Sequence, residues 1–268
     1  MSSESPLIIY VLPGSQYVAK VLSALTARKV DHYVQYVPLD IEKRKKALPS
    51  GGRFVPEMQV GSGSDKEIIC DSEKILHWLD DNRGTKFFPN EEASELSKRA
   101  SDETLAAMVW YYNWVDDDGH SKSMRATLGR SFPTYVPWFV VDMFLKSTRT
   151  EFREKVKMKL KLEDSDLSDG PAMKKRLMDE LYYLQDFLKD ESQSYLLPGE
   201  EPTAPDFSVY AQMERLVGGD ASDYPLPPSI PKLKEDTSLK RLWRWHDNMQ
   251  KLYPIKHKGK RAPKELLS

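Results

Sequence analysis

The sequence predicts a mixed α/β domain followed by an all-helical domain. Before Asn82, short apolar runs typical of buried strands alternate with apolar residues at helical spacing. Beyond residue 90, only helical patterns remain, and the intervening stretch contains Gly, Pro and a capping residue, as linkers do. These observations predict an α/β domain over residues 1–83, a linker over 84–90, a helical domain over 91–253 and a basic tail over 254–268.

The first strand and helix are predicted from a run of apolar residues followed by a turn. Leu7–Val11 is continuously apolar and rich in β-branched residues, which favours a buried strand. Pro13 and Gly14 end it, and Ser15 can cap the next helix by accepting a backbone N–H. The buried face of that helix is marked by apolar residues at Val18, Val21, Leu22 and Leu25. The Ser15 hydroxyl therefore lies at the positive end of a helix, where a thiolate is stabilised.

The second half of the domain begins at Val55-Pro56, which precedes the predicted strands 57–60 and 67–70. If the Val55-Pro56 bond is cis, the backbone of Val55 can pair with an extended peptide. Asp71-Ser72 then opens a helix whose free N–H groups suit a carboxylate. Together with Ser15, these features describe a binding site for a thiol-containing peptide.

Residues 6–82 resemble the thioredoxin-fold domain of cytosolic glutathione transferases. Ser15 precedes Lys20-Val21 by five residues, a spacing similar to that of serine-type members, although Gln16 stands where these usually have proline. The capping box Thr203–Asp206 is similar to the buried one in the helical domain of the family. The resemblance thus implies a thioredoxin-like domain followed by an enlarged, all-helical C-terminal domain.

The resemblance also implies site residues, with glutathione as co-substrate. Ser15 would contact the glutathione sulfur, and Tyr10, at the position used by tyrosine-type members, is its rival; Tyr17 is a weaker one. Val55 would pair with the cysteinyl part of glutathione, and Asp71 and Ser72 would bind its γ-glutamyl end. The full set of residues implied to bind glutathione is Arg53, Val55, Pro56, Asp71 and Ser72.

In the helical part, the sequence predicts one helix over about 91–116, ending in a cluster of aromatic residues. By the resemblance, this helix walls a site for a hydrophobic co-substrate, lined by Met108, Tyr111, Tyr112 and Trp138. Packing between domains or subunits is the alternative for each ring. The aromatic segment 131–139 is predicted to cover or support the cleft. Further helices are predicted over about 140–162, 171–189 and 206–216, then a last helix through Trp243, and the basic tail is predicted to be a solvated, flexible end.

Composition excludes several classes of function. A net charge of −1 gives no reason to expect nucleic acid as a partner, and no apolar run is long enough to span a membrane. The start lacks the pattern of a signal peptide, so a cytoplasmic location is expected. Cys70 is the only cysteine and is predicted to be a small buried residue, and the five histidines have no spacing typical of a metal site.

Two hypotheses about function follow. The first is a glutathione transferase that activates the thiolate for attack on an apolar electrophile, or a related glutathione-dependent isomerisation, dehalogenation or ether cleavage. The second is a non-catalytic carrier or scaffold of the same fold that binds an apolar ligand or a protein. By the resemblance, the protein would form a homodimer.

Overall fold

The computed structural model describes residues 5–117, 136–189, 192–217, 232–255 and 259–267. The N-terminal region is a sheet with helices, and the elements after residue 90 are helical, as predicted. In chain order the first region comprises β1 (Leu7–Val11), α1 (Gln16–Ala27), β2 (Tyr33–Tyr36), α2 (Ile41–Ala47), β3 (Glu57–Val60), β4 (Glu67–Cys70) and α3 (Ser72–Arg83). The second comprises α4 (Glu91–Asp102), α5 (Thr104–Trp110), a π-helical turn (Tyr111–Val115), α6 (Trp138–Leu160), α7 (Gly170–Asp186), α8 (Ala204–Val217) and α9 (Lys240–Leu252), with a short α10 (Lys264–Leu267) at the end.

The four-stranded sheet has the order β2-β1-β3-β4, with β1 parallel to β2 and the other pairs antiparallel. Side chains alternate between its two faces along β1. Ile9 belongs to the main core, which includes residues of α1, α3 and the helical region, whereas Ile8 and Tyr10 belong to a second cluster on the opposite face. Because both faces are covered, all five residues of β1 are buried.

The helical region is organised around α8, which is buried from Ala204 to Leu216. Its start is fixed by the carboxylate of Asp206, which accepts hydrogen bonds from the backbone N–H groups of Thr203 (2.9 Å) and Leu196 (2.8 Å). The indole N–H of Trp245 in α9 also donates to it, at 3.0 Å. One half of the predicted capping box is therefore present, because Asp206 accepts from the Thr203 N–H, whereas the Thr203 hydroxyl donates to the same carboxylate at 3.2 Å. The Asp206 carboxylate ties three segments of the helical region together.

The prediction of one continuous helix over 91–116 is wrong. The helix is interrupted at Glu103, whose φ and ψ of −118° and −120° are not helical. At this point the carbonyl of Ser101 accepts a hydrogen bond from the Tyr17 hydroxyl, and the carbonyl of Asp102 accepts one from the ammonium group of Lys159. In a continuous helix, these two carbonyls would accept hydrogen bonds from backbone N–H groups of the next turn. Here the donors from α1 and α6 take the place of those N–H groups.

The tail prediction is also wrong for residues 259–267, which pack against the sheet. The backbone N–H of Val34 in β2 donates to the carbonyl of Lys260 at 2.9 Å, and Arg261 pairs with Val34 in a parallel bridge. Ala262, Leu266 and Leu267 pack against the second cluster. The basic residues suggested a solvated end, but these three apolar side chains decide where the segment lies.

The later helices are confirmed with shifted ends, at α6, α7, α8 and α9. Most of the predicted cleft cover, residues 131–135, lies outside the described residues. None of the helices that the structure describes has the length and apolar character needed to span a bilayer.

Candidate functional site

One wall of the candidate site is the segment that leads into β3. The Val55-Pro56 peptide bond is cis. The carbonyl of Pro56 accepts a hydrogen bond from the backbone N–H of Asp71 at 3.3 Å, which connects this segment to the start of α3. In the described part of the chain, neither main-chain polar group of Val55 has a hydrogen-bond partner. Val55 therefore offers a backbone donor and acceptor to an extended peptide.

The N-terminus of α3 lies next to this wall. The carboxylate of Asp71 caps the helix by accepting from the N–H groups of Glu73 (2.8 Å) and Lys74 (3.5 Å). Asp71 has a φ of 86°, a strained value for a residue with a Cβ, and such residues are concentrated at functional sites. Ser72 is buried, and its hydroxyl has no hydrogen-bond partner among the described residues. A hydroxyl at a helix N-terminus can bind a carboxylate.

A buried charge lies beneath the start of α3. The ammonium group of Lys20, from α1, is only 1% exposed and forms an ion pair with the carboxylate of Glu73. It also donates to the hydroxyls of Ser97 and Ser101 in α4, both at 3.2 Å, and Ser97 is 2.8 Å from the hydroxyl of Ser208 in α8. Burial lowers the pKa of Lys20, while the carboxylate of Glu73 acts in the opposite direction. This network joins the α/β region to the helical region directly under the site.

These walls enclose a cavity of about 590 Å³, within the usual range for small-molecule sites. All five residues predicted to bind glutathione line it: Arg53, Val55, Pro56, Asp71 and Ser72. The helical region contributes Lys98, Ser101, Asp102, Trp110 and Lys155. The structure thus brings together residues that are far apart in the sequence.

The acidic side chains around the cavity already have partners. Glu73 is paired with Lys20, and Asp102 is paired with Lys159 at 2.6 Å. The buried carboxylate of Glu57 accepts from the backbone N–H of Ser50 at 3.2 Å and from its hydroxyl. The cations paired with Glu73 and Asp102 offset part of the negative charge, so an anionic group can enter the cavity with less repulsion.

The two candidates for the sulfur contact lie elsewhere. Ser15 is half-buried and caps α1, with its hydroxyl oxygen 3.4 Å from the backbone N of Val18. It is not among the residues that line the cavity. Tyr10 points to the opposite face of the sheet, where its hydroxyl donates to Gln59 at 3.0 Å, and burial raises the pKa of Tyr10.

Tyr17, the weaker rival, does line the cavity. Its hydroxyl donates to the carbonyl of Ser101 at 3.0 Å, and burial, reinforced by the nearby Asp102 and Asp71, raises its pKa. Tyr17 is therefore a neutral phenol at physiological pH whose proton is already engaged. In this geometry it supports the junction of α1 with α4.

The residues predicted to bind a hydrophobic co-substrate are not in the cavity. Met108, Tyr111 and Tyr112 are buried in the core, and Trp138 is 53% exposed at the start of α6. The ring from the helical region that lines the cavity is Trp110, which sequence reasoning left out of the site. Among the described members of the aromatic cluster Trp110–Trp114, only Trp110 lines the cavity.

Cys70 also differs from its prediction, since it is exposed and lines the cavity. It is the last residue of β4, and its neighbour Ile69 occupies the core face. Although Cys70 is exposed, partial desolvation of its thiol and the nearby carboxylate of Glu57 raise its pKa, so the thiol is protonated at neutral pH. Among the described residues, no group of three or more His, Cys, Asp or Glu side chains is placed to hold a metal ion.

Comparisons with known proteins agree with this fold. Residues 9–87 match the family described as glutathione S-transferase, N-terminal domain. The fold is similar to that of glutathione transferase GSTFuA2 from Phanerochaete chrysosporium, with a TM-score of 0.57 and 15% identity, covering 94% of this chain and 99% of that chain. It is also similar to Gtt2 from Saccharomyces cerevisiae, with a TM-score of 0.52 and 18% identity, covering 91% and 95% of the two chains.

A third similar structure is glutaredoxin 2 from Salmonella typhimurium, solved in complex with glutathione. Its TM-score is 0.50 at 14% identity, covering 94% of this chain and 96% of that chain. At these identities the likenesses establish a shared fold. No curated protein matches the chain.

Proposed function

We propose that the protein binds glutathione in the cavity and activates its thiol, since residues 9–87 match the glutathione S-transferase N-terminal domain family. The observation that carries this proposal is the meeting of two features in one cavity. One is the backbone of Val55, which has a free donor and acceptor, and the other is the N-terminus of α3 with the hydroxyl of Ser72. An extended peptide with a terminal carboxylate has complementary groups.

In this proposal glutathione lies along the segment that leads into β3. Its cysteinyl N–H and carbonyl pair with the main chain of Val55. Its γ-glutamyl carboxylate binds the hydroxyl of Ser72 and the positive end of α3, the helix that Asp71 caps. The glycine carboxylate lies nearest to Arg53, whose exposed guanidinium is 4.7 Å from the ring of Phe54.

The chemistry proposed for the bound thiol is ionisation and attack. The thiol proton leaves to solvent. Because Ser15 does not line the cavity, the proposed thiolate extends from the cavity towards the N-terminus of α1, where the helix end and the Ser15 hydroxyl stabilise it. The thiolate then forms a carbon–sulfur bond with an apolar electrophile held against Trp110, and the leaving group departs. Positioning and electrostatic stabilisation carry the rate enhancement.

Ser72→Ala is expected to weaken glutathione binding roughly 10- to 100-fold, because a hydrogen bond to a charged group contributes about 1.5–3 kcal/mol. The measurement is isothermal titration calorimetry with glutathione. Ser64→Ala is the matched control, since Ser64 is exposed in the turn before β4 and does not line the cavity. Equal dissociation constants for the two variants would contradict the assignment of Ser72.

Ser15→Ala is expected to reduce turnover of an activated aryl halide by roughly 100-fold or more, with little change in glutathione affinity. Because Ser15 also caps α1, the variant should lose about 1 kcal/mol of stability, so the assay temperature must lie well below its melting temperature. Steady-state rates and calorimetry separate the two effects. Retained turnover in Ser15→Ala, together with its loss in Tyr10→Phe, would show that the sulfur ligand is misassigned.

One observation favours the second candidate function, a non-catalytic carrier or scaffold. The Ser15 hydroxyl is engaged with the Val18 N–H and does not line the cavity. A carrier would bind glutathione or an apolar ligand with no measurable turnover, and Ser15→Ala would leave that binding unchanged. The apolar co-substrate, the pairing of two copies and a cytoplasmic location remain part of the proposal as implied by the family.

A further inference from the structure

The face of the sheet opposite the main core is covered by the C-terminal segment of the chain. The helix α2 contributes no buried residue, although it lies between β2 and β3 in the chain. The cluster on this face is formed by Ile8, Tyr10, Val37 and Leu48. The C-terminal segment, residues 259–267, packs against it through Ala262, Leu266 and Leu267. In the described structure, this segment provides cover that α2 does not.

The segment is held by specific contacts at both ends. At its start, Lys260 accepts the hydrogen bond from Val34 described above, and Gly259 lies so close to β2 that a Cβ would be 2.5 Å from Cγ2 of Val34. Val34 is completely buried, so it cannot move aside easily. At its other end, the carbonyl of Leu266 accepts a hydrogen bond from the side chain of Gln59 at 2.8 Å.

These contacts lead to the candidate site. Leu48 is a member of the cluster and Val55 packs against it, so the cluster anchors both ends of the loop 49–54. That loop lines the cavity with Ser50, Gly52, Arg53 and Phe54. Gln59, which binds the C-terminal segment, is in β3, the strand that this loop enters.

We propose that residues 259–267 are a positioning segment for the cavity: by covering the cluster that anchors Leu48 and Val55, they hold the loop 49–54 in the conformation that binds the peptide. The segment does not line the cavity. The identity of the ligand as glutathione rests on the proposed function. The effect of the segment on the conformation of the loop is independent of that function. Loss of the segment therefore changes the loop first and the affinity for glutathione as a consequence.

The experiment compares amide hydrogen exchange and glutathione affinity in wild type, a chain ending at residue 258, and Gly259→Ala. Gly199→Ala is the matched control, because a Cβ there would meet its nearest atom at 3.7 Å. The amide of Val34 reports release of the segment, and the amides of Leu48 and Gly51, bonded to Arg44 and Leu48, report the loop. We expect roughly tenfold faster exchange at all three amides in both altered chains, unchanged exchange in α8, and glutathione binding weakened several-fold.

Faster exchange at Val34 with wild-type exchange at Leu48 and Gly51 would overturn the proposal. If the truncated chain unfolds, Gly259→Ala decides the question. Wild-type exchange at Val34 in Gly259→Ala would contradict the close approach on which the inference rests. If wild type itself does not bind glutathione, the proposed function fails, and the exchange at Leu48 and Gly51 still tests the positioning of the loop.

Discussion

Asp206→Ala is expected to lower the free energy of unfolding by at least about 3 kcal/mol, a large fraction of the 5–15 kcal/mol typical of a folded protein. The reason is that its completely buried carboxylate accepts from three N–H groups, those of Leu196, Thr203 and Trp245. Alanine would leave these buried donors without acceptors, each at a cost of about 1–3 kcal/mol.

The measurement is urea unfolding followed by circular dichroism. Asp81→Ala is the control, since Asp81 is exposed in α3 and has no hydrogen bond or ion pair within the described residues. Asp206→Asn should lie between wild type and Asp206→Ala, because the amide keeps one acceptor oxygen. If Asp206→Ala and Asp81→Ala unfold at the same urea concentration, Asp206 does not organise the helical region.

Lys20→Met is expected to cost roughly 2–4 kcal/mol of unfolding free energy, because it removes the cation paired with the carboxylate of Glu73. The methionine can occupy the space of the lysine stem, so the loss comes from the charge that remains without its partner. The Glu73 side chain is 28% exposed and keeps some contact with water, which places the effect below that of a fully buried pair.

A double-variant cycle tests this explanation. Lys20→Met combined with Glu73→Gln should recover part of the lost stability, since the uncompensated charge is then gone. Lys74→Met is the control for the loss of a lysine, because Lys74 is exposed on α3. A double variant no more stable than Lys20→Met would contradict the explanation by an uncompensated charge on Glu73.

Local signals were sufficient to predict most of the α/β region. Ser15, Asp71 and Asp206 all form the capping hydrogen bonds that their positions suggested. A capping residue acts on N–H groups two or three positions away, so its effect is visible in sequence. The residues predicted to bind glutathione enter one cavity because the order of strands and helices fixes where Val55 and Asp71 meet.

The features that the sequence did not predict depend on contacts between segments that are distant in the chain. The break at Glu103 coincides with hydrogen bonds from Tyr17 and Lys159, which lie in other helices. The orientation of Tyr10 was ambiguous because β1 is apolar at every position, and alternation cannot show which face a residue takes when both are covered. That second cover comes from Leu266 and Leu267, far away in the sequence.

The exposure of α2 has a consequence for the affinity of the cavity for its ligand. This helix has seven residues, none of them buried, and a helix of that length has little stability of its own. Its conformation is held mainly by the Asp40 cap and by Arg44, which donates to carbonyls of Pro38 and Arg53. Local unfolding of α2 therefore requires far less free energy than global unfolding and leaves the hydrophobic core intact. The loop 49–54, which lines the cavity, follows this helix. A ligand that binds only when α2 is folded therefore has its apparent affinity reduced by the fraction of molecules in which α2 is unfolded.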